Sequence, residues 1–138
     1  MSRLTATTIF PDMDAPSPQF REVWVEAPNG GLLCALINSD VGGWLMYLRE
    51  PGDAGFSSRN PEYSGPPSEK VMYKLNNGQI DDYPRAWAYP VAIVERALEH
   101  FRLTGSPPLF IKWHNDSDDG ETIPPRWPRH VERFGRAE

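Results

Sequence analysis

Residues 89–113, YPVAIVERALEHFRLTGSPPLFIKW, decide the fold because they encode one helix, its end and a following strand. Apolar side chains recur at the spacing of one helix face, at Val91, Val94, Leu98 and Phe101. Pro90 suits the start of a helix, and Gly105 is a candidate left-handed C-cap. The two prolines that follow prevent the helix from resuming, so Leu109–Trp113 is predicted to be a short strand.

Composition limits the classes of protein to which this chain can belong. Its 138 residues suffice for one domain with a single core. The net charge of −5 argues against binding nucleic acid or an anionic membrane by charge alone, and it suits a basic partner. The single cysteine, Cys34, fits a reducing compartment, and residues 1–20 show no apolar run led by basic residues. We therefore expect a cytoplasmic protein that makes no membrane contact.

The remaining segments predict a sheet. Three β-prone runs joined by short turns indicate an antiparallel meander: Arg21–Ala27, Leu32–Asn38 and Trp44–Arg49. Val71–Leu75 and Gln79–Tyr83 read as two further strands that pair across an Asn-Gly turn. We therefore predict an α+β fold, a twisted antiparallel sheet of about five to six strands with one principal helix packed on a face.

The segments between and beyond these elements are predicted to be irregular. Glu50–Ser68 reads as a long loop rich in Gly, Pro and Ser, of a length that is usually functional or mobile. Residues 1–20 read as a loosely ordered lead-in, and residues 114–138 as an acidic loop with a tail rich in Pro and Arg. The whole chain, 1–138, is predicted to be a single domain.

No motif in the sequence forms a coherent catalytic set. Cys34 lies in an apolar run and reads as a buried small hydrophobe, and the three histidines lack zinc-type spacing. His114 reads as a hydrogen-bonded residue at a strand end, with an active-site base as the alternative. The acidic run at residues 116–121 lacks the full ligand spacing of a calcium loop. A solvated loop, a metal site and a carboxylate cluster that attracts a basic partner all stay open for it, and no cofactor or metal is predicted.

One family resemblance is carried by the opening stretch. The matching residues are Pro90, Ala92, Ala97, Phe101, Thr104, Gly105, Pro108, Ile111 and Trp113. They resemble the C-terminal signature of the first immunity-protein family of bacterial polymorphic toxin systems. The resemblance covers about a fifth of the chain.

The resemblance implies a cognate inhibitor that has no enzymatic activity. Such a protein binds a toxin domain, often a nucleic-acid deaminase, and blocks its active site. The signature itself reads as core packing, so the binding surface is expected in the surrounding loops. The candidate partner contacts are Asp53, Phe56, Arg59, Tyr63, Asp81, Asp82, Trp87, Asp116, Asp118, Asp119 and Glu121.

Two other functions compete with this hypothesis. Asp81, Asp82 and His114 are the residues that a small metal-dependent hydrolase or nuclease would use with a divalent ion. A regulatory interaction module with a non-toxic partner is the third reading. The identity of the toxin and the oligomeric state are left open by the sequence.

Overall fold

Two antiparallel sheets and one long helix make up residues 18–125, the part of the chain that this computed structural model describes. The elements in chain order are β1 (Phe20–Glu26), β2 (Leu32–Asn38), β3 (Gly42–Leu48), β4 (Phe56–Arg59), β5 (Lys70–Lys74), β6 (Ile80–Pro84), a short 3-10 helix (Arg85–Trp87), α1 (Val91–Thr104) and β7 (Lys112–Asn115). Nearly all of the predicted lead-in, and the tail beyond residue 125, lie outside the described residues. The predicted α+β class is confirmed.

The main sheet has five strands in the order β1-β2-β3-β4-β7, and every neighbouring pair is antiparallel. The predicted meander of the first three strands is confirmed. The strands β5 and β6 pair with each other as a separate two-stranded sheet.

Strand β2 is buried on both sides, and it divides the core into two clusters. Leu33, Ala35 and Ile37 pack towards α1, on what we call the helix face of the main sheet. Cys34 and Leu36 pack towards the β5–β6 hairpin, on what we call the hairpin face. The uniformly apolar sequence of β2 follows from this arrangement, because a strand covered on both faces has no solvent-facing positions.

The helix α1 forms as its sequence predicts. Pro90 stands at its N-cap, and Gly105 closes its C-terminus with φ = 73° in the left-handed region. One face of the helix is buried, at Val94, Ala97, Leu98 and Phe101. Across the described residues, no helix is long and apolar enough to cross a membrane.

The prediction of a long irregular loop at Glu50–Ser68 is wrong, because this segment contains β4. The strand pairs with β3 on one side and with β7 on the other. Two buried serines lie within it, and the hydroxyl Oγ of Ser58 accepts the backbone N–H of Leu45 (2.9 Å) and donates to the carbonyl of Trp87 (2.9 Å). These partners compensate the burial of a polar side chain.

The last strand lies further along the chain than predicted. It spans Lys112–Asn115, whereas the run that was predicted began at Leu109. Leu109 is 65 % exposed, because the segment after the helix turns outward before it joins the sheet. The apolar residues at its start had suggested a strand that the backbone does not form.

Gly42 and Gly43 begin β3, whereas the predicted third strand began at Trp44. The backbone of Tyr89 bonds to Gly43 in both directions, at 2.8 and 2.9 Å. Gly42 has φ = 151°, and a Cβ atom there would lie 2.2 Å from the carbonyl oxygen of Tyr89. Only glycine permits this approach, which holds the 3-10 helix and Trp87 against the hairpin face.

Candidate protein-binding surface

Two adjoining features on the hairpin face form the candidate site. The first, which we call the aromatic cleft, lies between strands β1–β3 and the hairpin and has a volume of about 130 Å³. Its polar and aromatic lining consists of Glu22, Trp24, Trp44 and Tyr83. The second, which we call the arginine shelf, lies beside it and consists of Arg59 on β4, Trp87 at the end of the 3-10 helix, His114 on β7 and Asp116 directly after β7.

Strand alternation explains how β1 contributes to the cleft. Val23 and Val25 pack against the helix-face core, so Glu22 and Trp24 lie on the opposite side of the strand. Trp24 is 47 % exposed. Its indole therefore forms an open wall of the cleft.

Glu22 links the main sheet to the hairpin. Its carboxylate accepts hydrogen bonds from Trp24 Nε1 (2.7 Å) and from the backbone N–H of Asn76 (2.9 Å), which follows β5. Among the salt bridges formed within residues 18–125, none includes Glu22. The carboxylate is therefore fixed in position, and its charge is not balanced by a cation of the described chain.

Three aromatic rings join the cleft to the shelf. The ring centroid of Trp44 lies 4.5 Å from that of Tyr83 and 5.2 Å from that of Trp87. The ring of Trp87 also stacks on Tyr83 at 5.9 Å. Burial, and secondarily the negative charge of Asp81, raises the pKa of Tyr83, so this hydroxyl stays protonated as a donor to Asp81.

The arginine shelf continues from this cluster. The guanidinium of Arg59 lies over the ring of Trp87, 4.1 Å from its centroid, which is a favourable cation–π distance. Its Nη2 lies 4.0 Å from the carboxylate of Asp116, which in turn lies 2.8 Å from His114 Nδ1. Burial lowers the pKa of Arg59, and the nearby Asp116 opposes that effect. The shelf thus contains both a basic and an acidic side chain.

A separate ion-pair cluster fixes two of the predicted contacts. Arg49 donates to both carboxylate oxygens of Asp53, at 2.7 and 2.8 Å, and to Asp119 at 2.6 Å. The hydrogen bond from Arg49 holds the pKa of Asp53 down at about 2. Hydrogen bonds from Asn115 and then from the Glu121 backbone hold the pKa of Asp119 well below its usual range. Asp53 thereby fixes Arg49, and Asp119 connects the acidic loop to that arginine.

The prediction that Phe56 contacts a partner is wrong. Its side chain is 2 % exposed, because the residue faces α1 from within β4. The sequence had placed Phe56 in an irregular loop, where an aromatic residue would have been accessible.

The other predicted contacts divide between the site and its surroundings. Arg59, Trp87 and Asp116 lie together in the shelf, and Asp81 borders the cleft through the hydroxyl of Tyr83, at 3.3 Å. The rest lie apart from both features: Tyr63, Asp82, Asp118 and Glu121. The hydroxyl of Tyr63 bonds to Pro66 at 2.7 Å, and the carboxylate of Asp82 lies on the opposite side of β6 from Asp81. Asp118 and Glu121 are exposed in the acidic loop.

Sequence reasoning missed four residues of the site, Glu22, Trp24, Trp44 and Tyr83. In the sequence Trp24 alternates with Val23 and Val25, which places it on the other side of a strand, but this pattern gives no reason to select that side. The cleft requires two sheets to meet, and no local sequence pattern shows that Leu36 belongs to one buried cluster with the hairpin residues Val71 and Tyr73.

Cys34 lies on the floor of the cleft as a buried thiol. Burial, with a smaller effect from Glu22, raises its pKa to about 12, so it is neutral near pH 7. Within residues 18–125, no three His, Cys, Asp or Glu residues are grouped in a way that would hold a metal ion. Comparisons of the chain with protein-family models, with curated proteins and with solved structures give no match.

Proposed function

We propose that this protein is an immunity protein, which binds a cognate toxin domain and blocks its active site without chemistry of its own. The proposal starts from the resemblance of residues 89–113 to an immunity-protein signature. This stretch contains α1 and the start of β7, which support the main sheet whose other side carries the hairpin-face surface. The observation that carries the proposal is the continuous surface formed by the aromatic cleft and the arginine shelf.

The composition of that surface is typical of a tight protein interface. Tryptophan, tyrosine and arginine dominate the residues that contribute most binding energy in interfaces. Here the ring of Trp87 contacts both Tyr83 and Arg59, and Glu22 holds the indole of Trp24 in the adjoining cleft, so these side chains are positioned before a partner arrives. Ordered anchors lose less conformational entropy on binding, which favours high affinity.

The charges suit a toxin that acts on a nucleic acid. Such a toxin presents a basic groove to phosphates, and carboxylates can occupy that groove in their place. Glu22 lines the cleft, Asp81 borders it, Asp116 belongs to the shelf, and the whole chain has a net charge of −5. Opposite charges of this kind accelerate association and fix the orientation of the two proteins.

The positions of Asp81, Asp82 and His114 support the hydrolase alternative less than the surface described above supports an immunity protein. Asp81 and Asp82 lie on β6 with their side chains on opposite sides of the strand, and His114 lies on β7 of the other sheet. A shared divalent ion needs ligands that converge within about 2.6 Å of one point. Nothing in this arrangement brings the three side chains to one point.

Co-expression tests the proposal. The proposal predicts a toxin domain encoded beside this gene; that domain is expressed in bacteria with and without the present protein, and growth is measured. We expect toxicity in the absence of the protein and restored growth in its presence. Growth that stays inhibited at matched expression levels contradicts the proposal.

A matched pair of variants then locates the surface. Trp24→Ala removes an exposed aromatic residue of the cleft, while Leu103→Ala removes an exposed apolar residue of α1. We expect Trp24→Ala to weaken protection and Leu103→Ala to leave it intact. Equal protection by both variants assigns the interface to another surface.

A further inference from the structure

We propose that the aromatic cleft is a receptor for one basic side chain, a lysine or an arginine, that the partner protein inserts between β1 and the hairpin. The identity of the partner rests on the proposed function. The occupant is inferred from the lining of the cleft itself.

The shape of the cleft suits the end of one side chain. Its volume of about 130 Å³ is several times the ~30 Å³ that a water molecule takes in the liquid, and far below the size of a drug-like pocket. The apolar part of the lining, Leu36, Met46 and Leu75, can contact the methylene stem of a long side chain. The head group then lies between the aromatic walls and the carboxylate.

The charge of the lining selects a cation. Glu22 is held by two hydrogen bonds, and the described chain supplies no salt-bridge partner for it. An apolar occupant would cover this carboxylate without balancing its charge, which is unfavourable. An anionic occupant would be repelled by Glu22 and by the nearby Asp81.

The aromatic walls strengthen this selection. The faces of tryptophan and tyrosine rings attract cations, and arginine uses this interaction more often than lysine does. The same ring cluster already binds one guanidinium, because Arg59 lies 4.1 Å from the centroid of Trp87. The cleft offers Trp24 and Tyr83 to a second cation, which no Lys or Arg of residues 18–125 supplies.

Nuclear magnetic resonance on the isolated protein tests the inference without any toxin. The probes are n-butylguanidinium and n-butylammonium, and n-butanol is the neutral control. The signal is the indole Nε1–H of Trp24, because this group donates to the carboxylate of Glu22 at 2.7 Å and must respond when a cation binds there. The chain has five tryptophans, and the variant Trp24→Leu identifies the signal.

We expect saturable shifts with both cations and none with the alcohol. Glu22→Gln should raise the dissociation constant about tenfold, and Glu26→Gln, on the same strand but outside the cleft lining, should leave it unchanged. In Trp24→Leu, which keeps the carboxylate, the signals of Trp44 should show weakened cation binding. The remaining indole signals report whether each variant keeps its fold.

Three results overturn the inference: no saturable shift with either cation, equal binding of n-butanol, or unchanged cation binding in a folded Glu22→Gln variant. The result of this titration does not depend on the proposed function, because no toxin is used. If the cations bind but the toxin domain does not, the cleft is a cation receptor and the immunity proposal fails. If the toxin domain is neutralised but the cations do not bind, the immunity proposal stands without this receptor.

Discussion

The indole Nε1–H of Trp113 donates a 2.9 Å hydrogen bond to the backbone carbonyl of Pro108, and both groups are buried. The two residues belong to the stretch that resembles the immunity-protein signature. The bond joins the end of the helix connection to the last strand of the sheet. This packing contact thereby accounts for the spacing between the proline and the tryptophan.

The first prediction concerns this bond. Trp113→Phe keeps most of the apolar contact but leaves the Pro108 carbonyl without its donor, so the free energy of unfolding should fall by about 1–3 kcal/mol. Urea unfolding followed by circular dichroism measures the change. Leu109→Ala, at an exposed position of the same segment, should change it by less than about 0.5 kcal/mol. Equal stabilities for Trp113→Phe and the wild type would show that the bond contributes nothing.

The second prediction concerns Tyr89, whose hydroxyl connects two strands. It donates to the carbonyl of Arg59 (2.7 Å) and accepts the backbone N–H of Lys112 (2.9 Å). Tyr89→Phe leaves both partners unpaired and should lower the free energy of unfolding by about 1–3 kcal/mol. Hydrogen exchange at Lys112 should accelerate as well, and exchange at the wild-type rate would contradict this assignment.

The third prediction concerns acid stability. The pKa of Asp53 is about 2 in the folded chain, against a usual value of 3.8. Its pair with Arg49 therefore stabilises the fold fully at pH values above 3.8. That contribution is lost as the pH falls from 3.8 through about 2. Asp53→Asn should therefore cost about 1 kcal/mol at pH 7, and the difference from the wild type should shrink over that acidic range. A difference that stays constant down to pH ~2 would contradict the pairing.

The fourth prediction concerns Cys34. Burial raises its pKa to about 12, so at pH 8 almost no thiolate is present to react. The native protein should react with a thiol reagent far more slowly than the same protein in urea. A reaction in the native state as fast as in urea would show that this thiol is accessible.

The fifth prediction concerns the acidic loop. Asp118 is exposed with φ = 61°, whereas Asp119 is held by Arg49, so Asp118 is the residue whose charge can be removed without releasing the loop. If this loop faces the toxin, Asp118→Asn should slow association about twofold at low salt, and asparagine tolerates the positive φ. Glu99→Gln on α1 is the matched control. Equal association rates for the two variants would show that the loop does not face the toxin.

The sequence predicted those elements whose signals are local. The periodicity of α1 and the glycine at residue 105 specify the helix and its end, and the alternation in β1 specifies which residues face the helix. Strand β4 was not predicted because its sequence, FSSR, is short and mostly polar. It forms a strand through its pairing with β3 and β7. The buried Ser58 is acceptable there because Leu45 and Trp87 supply its hydrogen-bond partners.

The candidate site was predictable only in part. Arg59, Trp87 and Asp116 were selected as loop residues, and they lie together because strand pairing places β4 beside β7. The cleft residues Glu22 and Trp24 were not selected, since their role depends on how the hairpin packs over the main sheet. Asp53 and Asp119 were predicted contacts as residues of two loops, and Arg49 balances their charges within the chain.

The immunity proposal predicts that a toxin domain is encoded beside this gene, and its most direct test is inhibition of that purified domain. Toxin activity is measured while this protein is added in increasing amounts. We predict a linear loss of activity that is complete at one equivalent, since neutralising a lethal enzyme requires a tight complex. Full toxin activity in the presence of a large excess of folded protein would contradict the proposal.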